Sequence, residues 1–188
     1  TIKATLKDGK RLITLLGAGG SGKTRLALQF GAQCLSQFMG GVWFCDLSES
    51  LNEDDIIEAM ASSLGLKLGS GDRRAQISQS LAGRDSVLLI IDNVEQVAKE
   101  VPALLQTWAN QAPKAAFLVT SRARLQIAGE TVLAVDPHAL PDAMQLFIDR
   151  AQAVAPSFEV DDSNEALIKE IVERLDCMSL AVELAAAR

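Results

Sequence analysis

The chain has 188 residues, 48% of them hydrophobic and 4% aromatic, and its net charge is −6 at pH 7. This length is enough for one α/β core with a small appended unit. An acidic chain lacks the basic patch that nucleic-acid phosphates require, and no apolar run approaches the roughly 20 residues that span a bilayer. We therefore predict that this segment contacts neither nucleic acid nor a membrane.

The cysteine and histidine residues argue against a zinc-type metal site. Cys34, Cys45 and Cys177 are odd in number and lie in apolar patterns, which is typical of buried free thiols in a reducing compartment. His138 follows Pro137 and is predicted to lie in a loop, and no Cys or His spacing suits a metal. We expect a cytoplasmic location.

A glycine-rich motif follows the first predicted strand, residues 12–16, and precedes a helical pattern over residues 24–35. Gly17 to Thr24 reads GAGGSGKT and fits G-x-x-x-x-G-K-[ST] at every required position. The motif predicts a loop whose backbone N–H groups surround nucleotide phosphates, with Lys23 on the β- and γ-phosphates and the Thr24 hydroxyl on Mg²⁺. The predicted nucleotide-binding residues are Gly17, Ala18, Gly19, Gly20, Ser21, Gly22, Lys23, Thr24 and Arg25.

Strands and helices alternate over the first 136 residues. A polar lead-in covers residues 1–10, and we expect its Ile2 and Leu6 to pack beside the nucleotide base. Asn52 and Asp72 are predicted to cap two of the helices. The further strands are predicted at 42–47, 86–92, 115–120 and 131–135, and the helices at 52–64, 73–81 and 95–108, the last bent or restarted at Pro102. This order predicts a five-stranded, parallel, doubly wound α/β sheet.

From Pro137 the pattern becomes purely helical. Amphipathic helices are predicted at 141–154, 162–175 and 180–188, with Asp162 or Ser163 capping the second and Ser179 the third. We interpret residues 1–136 as the nucleotide-binding domain and residues 137–188 as a helical lid subdomain. The last helix has no stop signal, so we expect the lid to be truncated within a longer protein.

A phosphate loop needs an acid that holds the metal at the end of a neighbouring strand. Asp92 closes the apolar run of residues 87–91 and is the candidate for a Mg²⁺ ligand. An acid at this position can instead cap the following helix, a role that Asn93 can also fill. With the phosphate loop upstream, we favour the metal role for Asp92.

Hydrolysis requires a group that senses the γ-phosphate and a group that orients the attacking water. Arg122 ends the fourth predicted strand and is the candidate sensor, with Arg124 as a competitor and a plain surface arginine as the alternative. Asn93 cannot act as a general base. Glu95 is our candidate base, Asp46 is a second candidate, and either can equally be a solvated acid.

The ordered motifs GAGGSGKTRLALQF, GVWFCDLSES, LLIIDNVEQV, FLVTSRARL, ALPDAMQLFIDRAQAV and LAVELAAAR resemble the STAND-type signal-transduction P-loop ATPases, near the NB-ARC (AP-ATPase) group. They are most similar to the ATPase modules of bacterial LuxR- and SARP-type transcriptional regulators. The resemblance implies a sensor strand between the Walker A and Walker B strands, and a switch between an ADP-bound closed monomer and an ATP-bound oligomer-competent state. It places Lys23 and Thr24 in Walker A, Asp92 in Walker B and Arg122 as the sensor arginine.

The chain departs from the family pattern at two positions. Cys177-Met178-Ser179-Leu180 stands where the family carries G-L-P-L, so Ser179 replaces a proline that lies near the adenine. Asn93 stands where many NB-ARC proteins carry an acid, which indicates slow turnover. The sequence thus predicts an ATP/ADP-binding regulatory switch with weak Mg²⁺-dependent ATPase activity. The alternatives are an AAA-like motor ATPase, a degenerate module that retains ADP, and a phosphotransferase.

Overall fold

A computed structural model describes residues 1–188. The strands are Leu12–Leu16 (β1), Val42–Asp46 (β2), Val87–Asp92 (β3), Ala115–Ser121 (β4) and Glu130–Ala134 (β5). The helices are Ile2–Lys7 (α1), Lys23–Cys34 (α2), Glu53–Ser63 (α3), Arg73–Gly83 (α4), Val101–Gln111 (α5), Leu140–Val154 (α6), Glu165–Arg174 (α7) and Ser179–Ala186 (α8). Short 3₁₀ helices cover Leu35–Gln37 and Val94–Val97.

The chain divides into two compact units. The sheet unit comprises Thr1–Leu16 and Lys23–Ala134, and the helical unit comprises Gly17–Gly22 and Val135–Arg188. No helix in either unit is both long and apolar enough to cross a membrane.

The sheet has five strands in the order β2-β3-β4-β1-β5, and every neighbouring pair is parallel. The predicted five-stranded parallel sheet is therefore confirmed. β4 lies between β1 and β3, which is the arrangement that the family resemblance implies. As a result, the ends of β3 and β4 lie side by side at the carboxyl edge of the sheet.

Helices cover both faces of the sheet. Leu89 and Ile91 of β3 belong to a buried cluster that includes residues of α3, α4 and α5. Ile90 points to the opposite face, because successive strand residues alternate. There it meets Gly31 of α2, where an added Cβ would lie 2.7 Å from Ile90 Cδ1 and 3.1 Å from Val42 Cγ1. Glycine at position 31 thus lets α2 lie close to the strands.

The predicted caps of α3 and α4 are confirmed. Asn52 Oδ1 accepts a hydrogen bond from the Asp55 N–H at 3.1 Å, and Asp72 Oδ1 accepts one from the Ala75 N–H at 3.1 Å. The stretch predicted as helical at 95–108, bent or restarted at Pro102, is two elements, so the predicted restart is confirmed. A 3₁₀ helix covers Val94–Val97, and α5 restarts at Val101 with proline in its first turn.

The lead-in is helical and lies near the start of β1. It forms α1, and Leu6 lines a cavity with Arg11, which precedes β1, and Ala116, near the start of β4. The phosphate-loop motif follows the other end of β1 in the chain, and five strand residues span about 16 Å. Contact of Ile2 and Leu6 with the nucleotide base stays a prediction.

The helical unit buries its own core, and two of its predicted caps are wrong. The core residues include Ala143, Phe147, Ile168, Val172 and Val182. Helix α7 begins at residue 165 because the Asp161 carboxylate binds the N–H groups of residues 163 and 164, at 2.8 and 3.2 Å, and holds them in a turn. Helix α8 includes Ser179 as its first residue, and Met178 precedes it without a side-chain cap.

Candidate functional site

Thr24 and Asp92, the two predicted Mg²⁺ ligands, meet in the sheet unit. Thr24 lies in the first turn of α2, and Asp92 is the last residue of β3. The Thr24 hydroxyl donates to the Asp92 carboxylate, with Oγ1 2.8 Å from Oδ1 and 2.9 Å from Oδ2. Asp92 is only 3% exposed, so its carboxylate depends on such donors or on a cation.

Thr120 is a site residue that the sequence reasoning missed. Its hydroxyl donates to Asp92 Oδ1 and accepts from the Asn93 N–H at 3.1 Å. The register pairs Ile91 with Val119, which brings Thr120 level with Asp92 on the neighbouring strand. The sequence does show a polar residue, Thr120, near the end of a strand that is buried throughout. Assigning Thr120 to the site also requires knowing that β4 lies beside β3.

Asn93 links two carboxylates at this edge of the sheet. It adopts the left-handed conformation, with φ 61° and ψ 36°, and makes no side-chain cap to the following 3₁₀ helix. Its amide Nδ2 donates to Asp46 Oδ1 at 2.9 Å and to Asp92 Oδ2 at 3.1 Å. Burial opposes ionisation of Asp46, but hydrogen bonds from Asn93 and Ser48 outweigh it and hold the pKa of Asp46 below its usual value.

Glu95 and Arg122 form an ion pair in the sheet unit. Arg122 Nε lies 2.8 Å from Glu95 Oε1, and the Arg122 side chain is 62% exposed whereas that of Glu95 is 17% exposed. The other oxygen, Glu95 Oε2, is buried and has no hydrogen-bond partner. The arginine thus holds one carboxylate oxygen of Glu95, and the other oxygen can accept a hydrogen bond.

Lys23 belongs to the same electrostatic cluster. It is only 8% exposed, and burial lowers its pKa from the usual value. The anionic groups of Glu95 and Asp92 raise the pKa of Lys23, whereas the cationic Arg122 lowers it. A desolvated ammonium group gains from an additional anion, so this position favours a ligand that carries negative charge.

The glycines of the motif lie in the helical unit, where they fit tightly. A Cβ added at Gly17 would lie 2.4 Å from the Val135 carbonyl oxygen, which no side chain could tolerate. Gly20 and Gly22 have φ values of 78° and 90°, in the region that favours glycine. The Gly20 carbonyl accepts a hydrogen bond from the Leu180 N–H at 3.1 Å. Close backbone packing therefore requires glycine at these motif positions.

The segment that replaces G-L-P-L forms the turn before α8. Cys177 stands at the family's glycine position and has a φ of 53°, after Asp176 with a φ of 51°. Glycine adopts this left-handed conformation without steric cost, whereas Asp176 and Cys177 adopt it here with side chains.

The donor set suits Mg²⁺ better than zinc. No group of three or more His, Cys, Asp or Glu side chains is arranged to hold a metal ion. Mg²⁺ usually keeps several waters and takes only one or two protein oxygens together with substrate phosphates. Thr24 and Asp92 provide one hydroxyl and one carboxylate at hydrogen-bond distance from each other, which fits that pattern.

The family model of the AAA domain matches residues 6–133, about two thirds of the chain. The chain belongs to the AAA domain family. This AAA domain is a P-loop ATPase domain, and the match covers β1 to β5 except the last residue of β5. The general prediction of a P-loop ATPase is therefore confirmed.

Relatives of this AAA domain include proteins named as regulators. An uncharacterized Mycobacterium tuberculosis protein is 37% identical over 100% of this chain and 48% of its own length. A protein of the same organism, described as an HTH-type transcriptional regulator, is 37% identical over 95% of this chain and 20% of its own length. The regulatory protein AfsR of Streptomyces griseus is 29% identical over 92% of this chain and 18% of its own length. The chain thus spans half or less of each relative.

Solved structures support the fold. The AAA domain is similar to a Walker-type ATPase of Pyrococcus abyssi, with a TM-score of 0.66, 16% identity, and coverage of 99% of this chain and 64% of that one. A STAND protein of Pyrococcus horikoshii with a tetratricopeptide repeat sensor has a TM-score of 0.53 at 17% identity, over 97% of this chain and 28% of that one. At these identities the likeness concerns the fold alone.

Proposed function

We propose that this AAA domain is an ATP/ADP-binding regulatory switch with slow Mg²⁺-dependent hydrolysis, and that it acts within a larger signalling or transcription-regulatory protein. The observation that carries the proposal is the convergence of the Thr24 and Thr120 hydroxyls on the buried Asp92 carboxylate. These groups follow the phosphate-loop motif and the β3 and β4 strand ends, where a P-loop ATPase holds its metal.

In this proposal, the backbone N–H groups of Gly17 to Gly22 and the Lys23 ammonium bind the phosphates, and Arg25 adds positive charge in the same first turn of α2. Thr24 and Asp92 hold Mg²⁺, and Thr120 keeps the Asp92 carboxylate oriented. When bound, ATP with Mg²⁺ supplies an electrophilic γ-phosphorus whose negative charge is partly neutralised. The protein groups supply position and charge and make no covalent bond.

Glu95 and Arg122 have linked roles in the proposed switch. Oε2 of Glu95 has no partner and is placed to accept a hydrogen bond from the attacking water. Arg122 contacts Oε1 in this structure and would bind the γ-phosphate of ATP instead, because a triphosphate carries more charge than one carboxylate. After loss of the γ-phosphate, Arg122 would pair with Glu95 again, and the helical lid, residues 137–188, would respond to this change.

Slow turnover follows from the neighbours of Asp92. Asn93 donates its amide to two carboxylates and cannot accept a proton. One carboxylate oxygen of Glu95 is held by Arg122, so only the other oxygen can face a water. A domain with these residues suits a slowly hydrolysing switch better than a motor.

The larger setting of the proposal comes from the relatives. Proteins that contain a similar segment are two to five times as long and include an HTH-type regulator and AfsR. We infer that further domains of the same protein receive the nucleotide state, and that the ATP state favours a homo-oligomer. The free cysteines Cys34, Cys45 and Cys177 suit a cytoplasmic location.

The test is a melting-temperature series with ADP, with ATP and with Mg²⁺. We expect Lys23→Ala to abolish the stabilisation by nucleotide, because it removes the phosphate-binding charge. Asp92→Asn should weaken the dependence on Mg²⁺ more than the binding of ADP. Lys99→Ala, at an exposed lysine, is the control and should respond like the parent chain. A parent chain that does not respond to millimolar ATP with Mg²⁺ would overturn the proposal.

A degenerate module that retains ADP is the second candidate. Asn93 and Ser179 favour it, since one cannot act as a base and the other replaces the family proline. Denaturing the purified chain and measuring released nucleotide separates the two: ADP that does not exchange supports the degenerate module, and exchangeable nucleotide supports the switch. Turnover of several per second without an activator would instead indicate the AAA-like motor.

A further inference from the structure

A small cavity lies in the sheet unit at the edge where β1 and β4 begin. Its volume is about 270 Å³. Leu6 of α1, Phe30 of α2, Phe38 and Ala116 form its apolar lining. Two phenylalanines in one small cavity are notable in a chain with only 6 phenylalanines and no tyrosine. The cavity therefore has an aromatic lining, which is uncommon in this protein.

All the charged side chains that line the cavity are cationic. Lys3, Lys7, Arg11 and Lys114 line the cavity, and no Asp or Glu does. The whole chain has 24 acids against 18 lysines and arginines, so a cavity with four cations and no acid runs against the average charge. This local excess of positive charge indicates an anionic ligand.

The four cations differ in how firmly they are held. Arg11 donates to the carbonyl oxygens of Ala109, Ala112 and Ala115 at 3.1 to 3.4 Å, so its charge is fixed in place. Lys114 pairs with Asp85 at 3.1 Å. Lys3 and Lys7 are four residues apart on α1 and therefore lie on the same face of the helix. These two exposed lysines are the ones available to a ligand.

The size of the cavity restricts the ligand class. Sites for drug-sized molecules span about 300 to 1,000 Å³, so 270 Å³ suits a small molecule and not a peptide helix or a nucleic-acid strand. We propose that the cavity binds a small organic anion with one flat apolar body and one acidic group. The apolar body lies against Leu6, Phe30 and Phe38, and the acidic group lies between Lys3 and Lys7.

This site is separate from the proposed nucleotide site. Phe30 lies seven residues after Lys23 on α2, about 10 Å along the helix axis. None of the cavity residues is assigned to phosphate or metal binding. The inference therefore stands whether or not the nucleotide proposal holds, and it can be tested without nucleotide.

The probe for the test is 8-anilinonaphthalene-1-sulfonate, a flat apolar anion that fluoresces when it leaves water. We expect saturable binding to the folded chain with one molecule per chain, weakened by salt. The double variant Lys3→Ala with Lys7→Ala should bind about five- to tenfold more weakly, from two partly exposed charge contacts. Lys67→Ala with Lys99→Ala removes two lysines outside the cavity and should leave the affinity unchanged.

Uncharged N-phenyl-1-naphthylamine is the second probe. It keeps the aromatic body without the acid, and we expect it to bind more weakly than the sulfonate and to be insensitive to the Lys3 and Lys7 changes. Equal affinity of the sulfonate for the parent and the Lys3/Lys7 variant would overturn the proposal. So would fluorescence that rises without saturation, since it reports general apolar surface and not one site. Near-ultraviolet circular dichroism checks that each variant is folded.

Discussion

Asn93 shows how one residue organises the candidate site. Its left-handed backbone turns the chain sharply after β3, and its amide then reaches both Asp46 and Asp92. Asparagine is among the few residues other than glycine that tolerate this conformation. The residue that departs from the acid of many NB-ARC proteins thus has a structural role as a donor between two carboxylates.

Replacing that donor by an acceptor should be costly. We predict that Asn93→Asp lowers the free energy of unfolding at pH 7 by about 1–3 kcal/mol, because an acid then faces Asp46 and Asp92 with unpaired acceptors. Urea denaturation measures the change, and the loss should be smaller at pH 5. Asn110→Asp makes the same change at an exposed position and should cost far less. Equal losses at the two positions would show that the amide bridge does not matter.

The cysteines should differ in reactivity. Burial, together with the nearby Asp46 charge, raises the pKa of Cys45 to about 11 against a weaker opposing hydrogen bond with Ser63. Cys34 is buried as well, whereas Cys177 is partly exposed. Since the thiolate is the reacting form, we predict that a disulfide reagent at pH 8 labels Cys177 first and Cys45 only on unfolding. Timed labelling with mass spectrometry checks the order, which rapid labelling of Cys45 in the folded chain would contradict.

At the scale of the elements, α2 connects the candidate site to the sheet. It begins with Lys23 and Thr24 and passes Gly31, which lies against Ile90 and Val42. A larger side chain at Gly31 must push α2 away from β3. Because Thr24 and Asp92 lie on these two elements, their hydrogen bond depends on how closely α2 and β3 pack.

We predict that Gly31→Leu destabilises the protein by about 2 kcal/mol or more, since overpacking exceeds the roughly 1 kcal/mol gained in helix propensity. The control is Ala32→Leu, at the exposed next position of α2, which should be nearly neutral. Thermal unfolding of both variants measures the difference. A neutral Gly31→Leu would mean that α2 can shift without cost.

Local signals explain which elements the sequence predicts. The strands and the caps at Asn52 and Asp72 depend on residues within one element, and they are confirmed. The phosphate-binding role of the glycine motif stays a prediction. The contact of Thr120 with Asp92 depends on strand order, which periodicity does not contain. The start of α7 was missed because the Asp161 turn competes with the predicted cap at residues 162 and 163.

At the scale of the whole molecule, charge determines which partners are excluded. The net charge is −6, and the cationic cluster that includes Lys3 and Lys7 is confined to one small cavity. Binding to duplex DNA requires several simultaneous phosphate contacts and a broad basic surface. Some relatives of this chain are named as regulators. A regulator can contact DNA through another domain, so this segment need not do so.

We predict no measurable binding of the 188-residue chain to a random duplex at physiological salt and micromolar protein. Fluorescence anisotropy of a labelled duplex measures this, with a basic DNA-binding domain as the positive control. Saturable binding that weakens steeply with added salt would contradict the prediction, because that dependence is the signature of released counterions.

The hydrogen bond from the Leu180 N–H to the Gly20 carbonyl bears on how this protein can be shortened. A version that stops at Ala134 would keep all five strands, Lys23, Thr24 and Asp92. However, it would lose the Leu180 N–H that donates to the Gly20 carbonyl. It would also lose the Val135 carbonyl against which Gly17 packs. A fragment that keeps both contacts of the glycine loop must therefore extend into α8, more than 40 residues past the end of the sheet.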